Sequence, residues 1–143
     1  MEALTAREAV AACAHAAASP AALLGAALER YARHLKFSGA LEPSTLRQAP
    51  PSPPAPTGRL TGVTLCVGTD WDVAGAPTTG GCGAAGLLQR AVPPATAELL
   101  GALLREGAQL VCQTTMSPLG YGWTGQSVLG AVKNVRRASA IYW

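Results

Sequence analysis

Apolar and small residues recur with a helical period over the first forty positions. Thr5-Ala6-Arg7-Glu8 has the S/T-x-x-E spacing in which two side chains satisfy free backbone N–H groups at a helix start. The alanine-rich run that follows, to about Ala18, has high helix propensity. Ser19-Pro20 predicts a second start, with serine as N-cap and proline at the first helical position. Leu23, Leu24, Leu28, Tyr31 and Leu35 fall at helical spacing, Glu29, Arg30 and Arg33 take other faces, and Phe37-Ser38-Gly39 predicts the stop. Further on the pattern shortens. Gly62–Val67 alternates apolar and small polar residues and predicts a strand. Thr69 to Gly86 reads as a glycine-rich loop. Pro93-Pro94 then opens a helix striped by Leu99, Leu100, Leu103 and Leu104 and closed at Gly107, and Ala108–Gln113 is a second strand. Strand, loop, helix, strand is the pattern of a parallel pair with a right-handed crossover. The stretch from Thr114 is rich in Gly and Ser and stops on Ile141-Tyr142-Trp143, which reads as an interrupted chain with an exposed apolar patch.

These changes of texture divide the chain into a helical segment (1–48), a proline-rich linker (49–58) and an α/β segment (59–143). With 49% hydrophobic and 13% charged residues in 143, global disorder is excluded and one thinly cored domain is expected. A net charge of +3 is too small to imply nucleic-acid binding. No apolar stretch has the length of a membrane span, and the N-terminus lacks the apolar region of a signal peptide, so the expectation is a cytoplasmic protein. Cys13, Cys66, Cys82 and Cys112 form no Cys-x-x-Cys, and His15 and His34 both lie in the helical segment, so no metal site and no cofactor is expected. The cysteines read as reduced, idle thiols.

Three local patterns offer chemistry. Gly81-Cys82-Gly83-Ala84-Ala85-Gly86 matches G-x-G-x-x-G, but a loop precedes it and Pro93-Pro94 cuts off the long helix a pyrophosphate site requires. A nucleotide-binding βαβ module is therefore the weaker alternative. Asp70 and Asp72 flank Trp71 on one face of an extended segment, which suits an acid/base pair, a metal or the capping of turns. Lys133, Arg136 and Arg137 make a small basic patch that reads as solvated surface.

A longer stretch carries a resemblance. Gly62-Val63-Thr64-Leu65-Cys66-Val67-Gly68-Thr69-Asp70-Trp71-Asp72-Val73-Ala74-Gly75-Ala76-Pro77-Thr78-Thr79 is similar to the "GVPVAVKDNIDVAGLPTT" block of the amidase signature family. Pro94-Ala95-Thr96 through Gly107–Val111 resembles the helix and strand that follow there, Cys112-Gln113-Thr114-Thr115-Met116 resembles "GKTNM", and Gly120-Tyr121-Gly122 resembles "AYG". Thr124-Gly125 and Gly130–Asn134 match the next segment loosely. The resemblance implies an α/β fold: N-terminal helices, then the first strands and helix of a mixed sheet, left incomplete. It also implies amide hydrolysis through a Ser–cis-Ser–Lys triad, the lysine acting as base, and places Gly120, Tyr121 and Gly122 in a loop against the substrate. In this alignment Gly68 fills the slot of the family lysine and Gln113 that of the "GKTNM" lysine. The only lysines, Lys36 and Lys133, lie elsewhere, and the loop bearing both serines would begin past Trp143. No triad member is present, and the expected object is a truncated or degenerate amidase-family chain, inactive alone. The alternative is a non-catalytic interaction subunit that pairs with a partner, or with itself, through an exposed sheet edge.

Overall fold

The computed structural model describes residues 4–38, 58–83, 92–123, 126–127, 130–134 and 137–141. Residues 49–57 of the proline-rich linker and the terminal Tyr142-Trp143 lie outside them, as do the side chains of Ile141, Lys36 and the Lys133, Arg136, Arg137 patch.

Helix α1 spans Ala6–Ala14 and starts as its sequence predicts. Thr5 N donates to Glu8 Oε2 at 2.7 Å, and Glu8 N donates to Thr5 Oγ1 at 3.3 Å. The helix stops four residues short of the alanine run. Ala16 is left-handed at φ 53°, Ala16 N donates to Cys13 O at 3.1 Å, and Ala17 N donates to Ala12 O at 2.8 Å. This is the two-bond C-terminal cap that usually carries glycine, built here on alanine. Helix α2, Pro20–Ser38, follows with Ser19 capping it through Ala22 N at 3.1 Å. Of its predicted stripe, Leu23 is buried, Leu24 is half-buried and Leu28 is exposed.

Strand β1, Thr64–Gly68, pairs in parallel with β2, Gln109–Thr114. Each lies one or two residues C-terminal to its predicted start. The register slips between Leu65 and Cys66: Leu65 faces Leu110, Cys66 faces Cys112, and Val111 is the extra residue of a bulge. Between the strands runs α3, Glu98–Arg105. It does not open at Pro93-Pro94, because the residues before it are held by the loop after β1. Ala74 N donates to Thr96 Oγ1 at 3.1 Å and Ala97 N donates to Asp72 O at 2.9 Å. Leu100 is fully buried against Val73 and Ala76, with Leu65, Val67, Leu104 and Leu110 packed around them, while Leu99 is exposed. Gly107, at φ 92°, ends the helix turn against Thr61, and Gln109 N donates to Val63 O at 2.8 Å as the chain enters β2.

Beyond β2 comes a 3-10 turn, Pro118–Gly120, and then two short antiparallel ladders that the sequence pattern did not predict. In these, β3 (Gln126–Ser127) pairs with β4 (Gly130–Ala131), and β5 (Lys133–Asn134) pairs with β6 (Arg137–Ile141).

Candidate functional site

The carboxyl ends of parallel strands are where α/β sheets place ligands, because the loops that leave them diverge and open a crevice. In this chain three segments converge there: the exit of β1 (68–72), the turn 79–82 and the exit of β2 (113–119).

Thr69, fully buried, joins the first two. Its Oγ1 accepts the Gly81 N–H at 2.9 Å and its carbonyl accepts the Gly80 N–H at 2.9 Å. Gly81 is at φ 78°, and a Cβ on it would meet Met116 O at 2.6 Å and Ser117 O at 2.7 Å, so only glycine lets this turn lie against the exit of β2. Leu119 N completes the contact by donating to Gly80 O at 2.7 Å. Gln113, only 1% exposed, spans from β2 to the exit of β1, its Nε2 donating to Trp71 O at 3.0 Å. The acceptor Oε1 of Gln113 and the hydroxyls of Thr79 and Thr115 are buried without hydrogen-bond partners among the described residues.

Gly68 ends β1 at the rim of this crevice. The space beside its Cα is taken by Asp70: a Cβ there would collide with Asp70 Oδ1, with Met116 Sδ next at 3.6 Å. Asp70 itself is exposed. Asp72 does not join it as an acid/base pair. Its Oδ1 accepts the Thr78 hydroxyl at 2.6 Å, which is the turn-capping role of a loop aspartate. Among the described residues no group of three or more His, Cys, Asp or Glu stands close enough to hold a metal.

The G-x-G-x-x-G match does not build a phosphate cradle in its described part. Gly81 gives its N–H to Thr69 Oγ1, Cys82 N donates to Thr79 O at 2.9 Å, and β1 has ended at Gly68. Residues 84–86 lie outside the described residues. Gly120, at φ 76°, and Tyr121 bond back to Ser117 O and Pro118 O at 2.9 and 3.2 Å. Tyr121 and Trp123 are 86% and 87% exposed, and Gly122 lies tight against the Ser117 side chain. Ser117 is buried, and its hydroxyl does not cap the 3-10 turn that follows. Thr69, as the joint of the crevice, and the cross-strand pair Cys66–Cys112 carry no local motif. The cysteines are legible only once the strands are paired, each being the fifth residue of its predicted strand.

The sequence profile of the Amidase family matches residues 22–142. Among proteins of curated function, none matches the chain by sequence. Solved structures do match by fold. One comes from a vestigial protein complex that reveals the evolutionary origins of an s-triazine catabolic enzyme; it is 20% identical at a TM-score of 0.81, covering 96% of this chain and 32% of that one. A crystal structure of an amidase is 26% identical at 0.72, covering 92% and 31%. A glutamyl-tRNA(Gln) amidotransferase subunit from Thermotoga maritima is 16% identical at 0.71, covering 92% and 27%. The chain thus spans about a third of the length of these relatives.

Proposed function

The chain belongs to the amidase family, and from that membership we propose that it is an amidase-signature segment with no amide-hydrolysing activity of its own. The observation that carries this reading is Gly68. The family's chemistry depends on a lysine whose amine, made basic by burial, relays a proton through one serine to a second, nucleophilic serine. In the alignment with the family block, that lysine's slot at the end of β1 is Gly68, and the exposed Asp70 carboxylate lies beside it. Glycine accepts no proton. A carboxylate standing over the slot would hold an amine in its charged form, the opposite of what a base requires. Ser117, Ser127 and Ser139 follow β2 in sequence, and none lies in a glycine-flanked turn of the kind that aligns two N–H donors on an oxyanion. In this reading Gly120, Tyr121 and Gly122 keep the position of the family's substrate loop without chemistry to serve.

A serine-directed fluorophosphonate tests the reading, because it labels only serines activated by a base. Intact mass after exposure should show no adduct. An adduct on any serine, lost on heat denaturation, would overturn it.

A second reading, a non-catalytic interaction segment, is supported by the exposed row Leu119, Tyr121 and Trp123. Parallel strands are ordinarily covered on both faces and flanked on both edges, and β1–β2 is a sheet of two strands among the described residues. The chain is accordingly expected to associate with a copy of itself or a partner, and sedimentation at rising concentration reads this directly. A monomer that binds no apolar dye would exclude it.

A further inference from the structure

Neither reading uses the cysteines, and two of them are placed together by the register of the sheet. We propose that Cys66 and Cys112 form a redox-active thiol pair, a modification site that closes to an intramolecular disulfide when Cys66 meets a hydroperoxide.

Cys66 and Cys112 are direct partners on the parallel strands β1 and β2, 46 residues apart in sequence, with their sulfurs 3.5 Å apart. Adjacent strands lie about 4.8 Å apart, inside the Cα separation of roughly 4.4–6.8 Å that a disulfide accepts. The bulge at Val111 interrupts the ladder beside the pair, so closure acts on backbone already released from regular pairing. The two thiols are also unequal. Cys66 is exposed and Cys112 is 1% exposed, so an oxidant reaches Cys66 while its partner waits behind it. The Cys112 S–H donates to the Cys66 sulfur, which holds the Cys66 thiol down at about 7 against the ordinary range near 8.5. That same bond, with burial, pushes Cys112 up. Cys82 has a different neighbour, its Sγ lying 3.8 Å from the Gly80 carbonyl.

The chemistry balances as two steps. The Cys66 thiolate attacks the outer oxygen of the hydroperoxide; an S–O bond forms, the O–O bond breaks, and the alkoxide leaves as the alcohol after taking a proton. Cys66 is now a sulfenic acid, oxidised by two electrons. Cys112 then attacks the Cys66 sulfur, the S–S bond forms, the S–O bond breaks, and hydroxide leaves as water with the proton of Cys112. Two thiols and one hydroperoxide give one disulfide, one alcohol and one water.

Hydrogen peroxide at stoichiometric amount is the probe, with remaining thiols alkylated and the peptides mapped by mass. The expected product is a Cys66–Cys112 cross-linked peptide, two hydrogens lighter than its reduced parts. It is absent in Cys66→Ser, and Cys112→Ser leaves Cys66 as a sulfenic acid trapped by a carbon nucleophile. A measurement on the unaltered protein stands beside these variants: Cys66 alkylation by iodoacetamide should rise to half its maximum near pH 7. Peroxide that consumes Cys13 or Cys82 while Cys66 and Cys112 stay unlinked overturns the proposal. So does a cross-link joining either of those two to Cys66.

Discussion

Replacing Thr69 by valine removes one atom that the crevice depends on and almost nothing else. Valine keeps the branched shape at a position with no exposure, so no cavity opens, but the acceptor of the Gly81 N–H, 2.9 Å away, is gone. Gly81 is itself buried beneath Met116 and Ser117, with no room to turn toward another partner. An orphaned buried donor costs about 1–3 kcal/mol. Against a total stability of roughly 5–15 kcal/mol, that is a loss easily read from a urea titration at unchanged slope. Thr69→Ser is the control, since it keeps the hydroxyl and gives up one methyl, worth about 0.8 kcal/mol. The two are separated by amide hydrogen exchange at Gly81: protection should collapse in Thr69→Val and survive in Thr69→Ser. If Thr69→Val kept Gly81 protected and lay within about 0.5 kcal/mol of the parent, Thr69 would not be the joint described above.

Three further outcomes are expected. Leu100→Ala, at the fully buried centre of the packing between α3 and the sheet, should cost about 3–5 kcal/mol by denaturant titration, whereas Leu99→Ala, on the exposed flank of the same turn, should be close to neutral. Ala16→Gly should stabilise the chain by about 0.5–1 kcal/mol, because alanine holds a left-handed cap conformation that glycine adopts without the Cβ penalty; a loss of stability would contradict the cap. The Glu8 carboxyl is held below its ordinary value, first by the Thr5 backbone N–H and then by the Thr5 hydroxyl. A depressed carboxylate stabilises above its unfolded pKa and stops doing so as pH falls through its folded one. Amide protection in the first turn of α1, taken relative to the intrinsic exchange rate at each pH, should therefore fall as pH drops below the ordinary glutamate range of about 4.3, and Glu8→Gln should flatten that dependence.

Features set by residues close in sequence are legible in the chain itself. The capping box at Thr5, the serine–proline start of α2 and the glycine end of α3 each need only a few neighbours, and each forms where the pattern puts it. What the pattern misses depends on contacts across the chain. The start of α3 is delayed to Glu98 by bonds from Asp72 and Ala74, more than twenty positions back. The stop of α1 at an alanine has no signal, because alanine favours continuing a helix and only the cap bonds show otherwise. The short strands β3, β4 and β5 after β2 are two residues each, below the length at which alternation can be read. At the crevice, Gly68 stands out only against the family block, while Thr69 to Gly81 and Gln113 to Trp71 bridge 12 and 42 positions and leave no local trace.

Steady-state turnover of a chromogenic anilide by the purified chain tests the central claim most directly, run for the unaltered protein and for Gly68→Lys beside a boiled control. An amine restored at Gly68 would face the Asp70 carboxylate, which favours its charged form, so both proteins should remain at the buffer background. Turnover by the unaltered chain that one serine substitution abolishes would contradict the account, and so would rescue by Gly68→Lys alone.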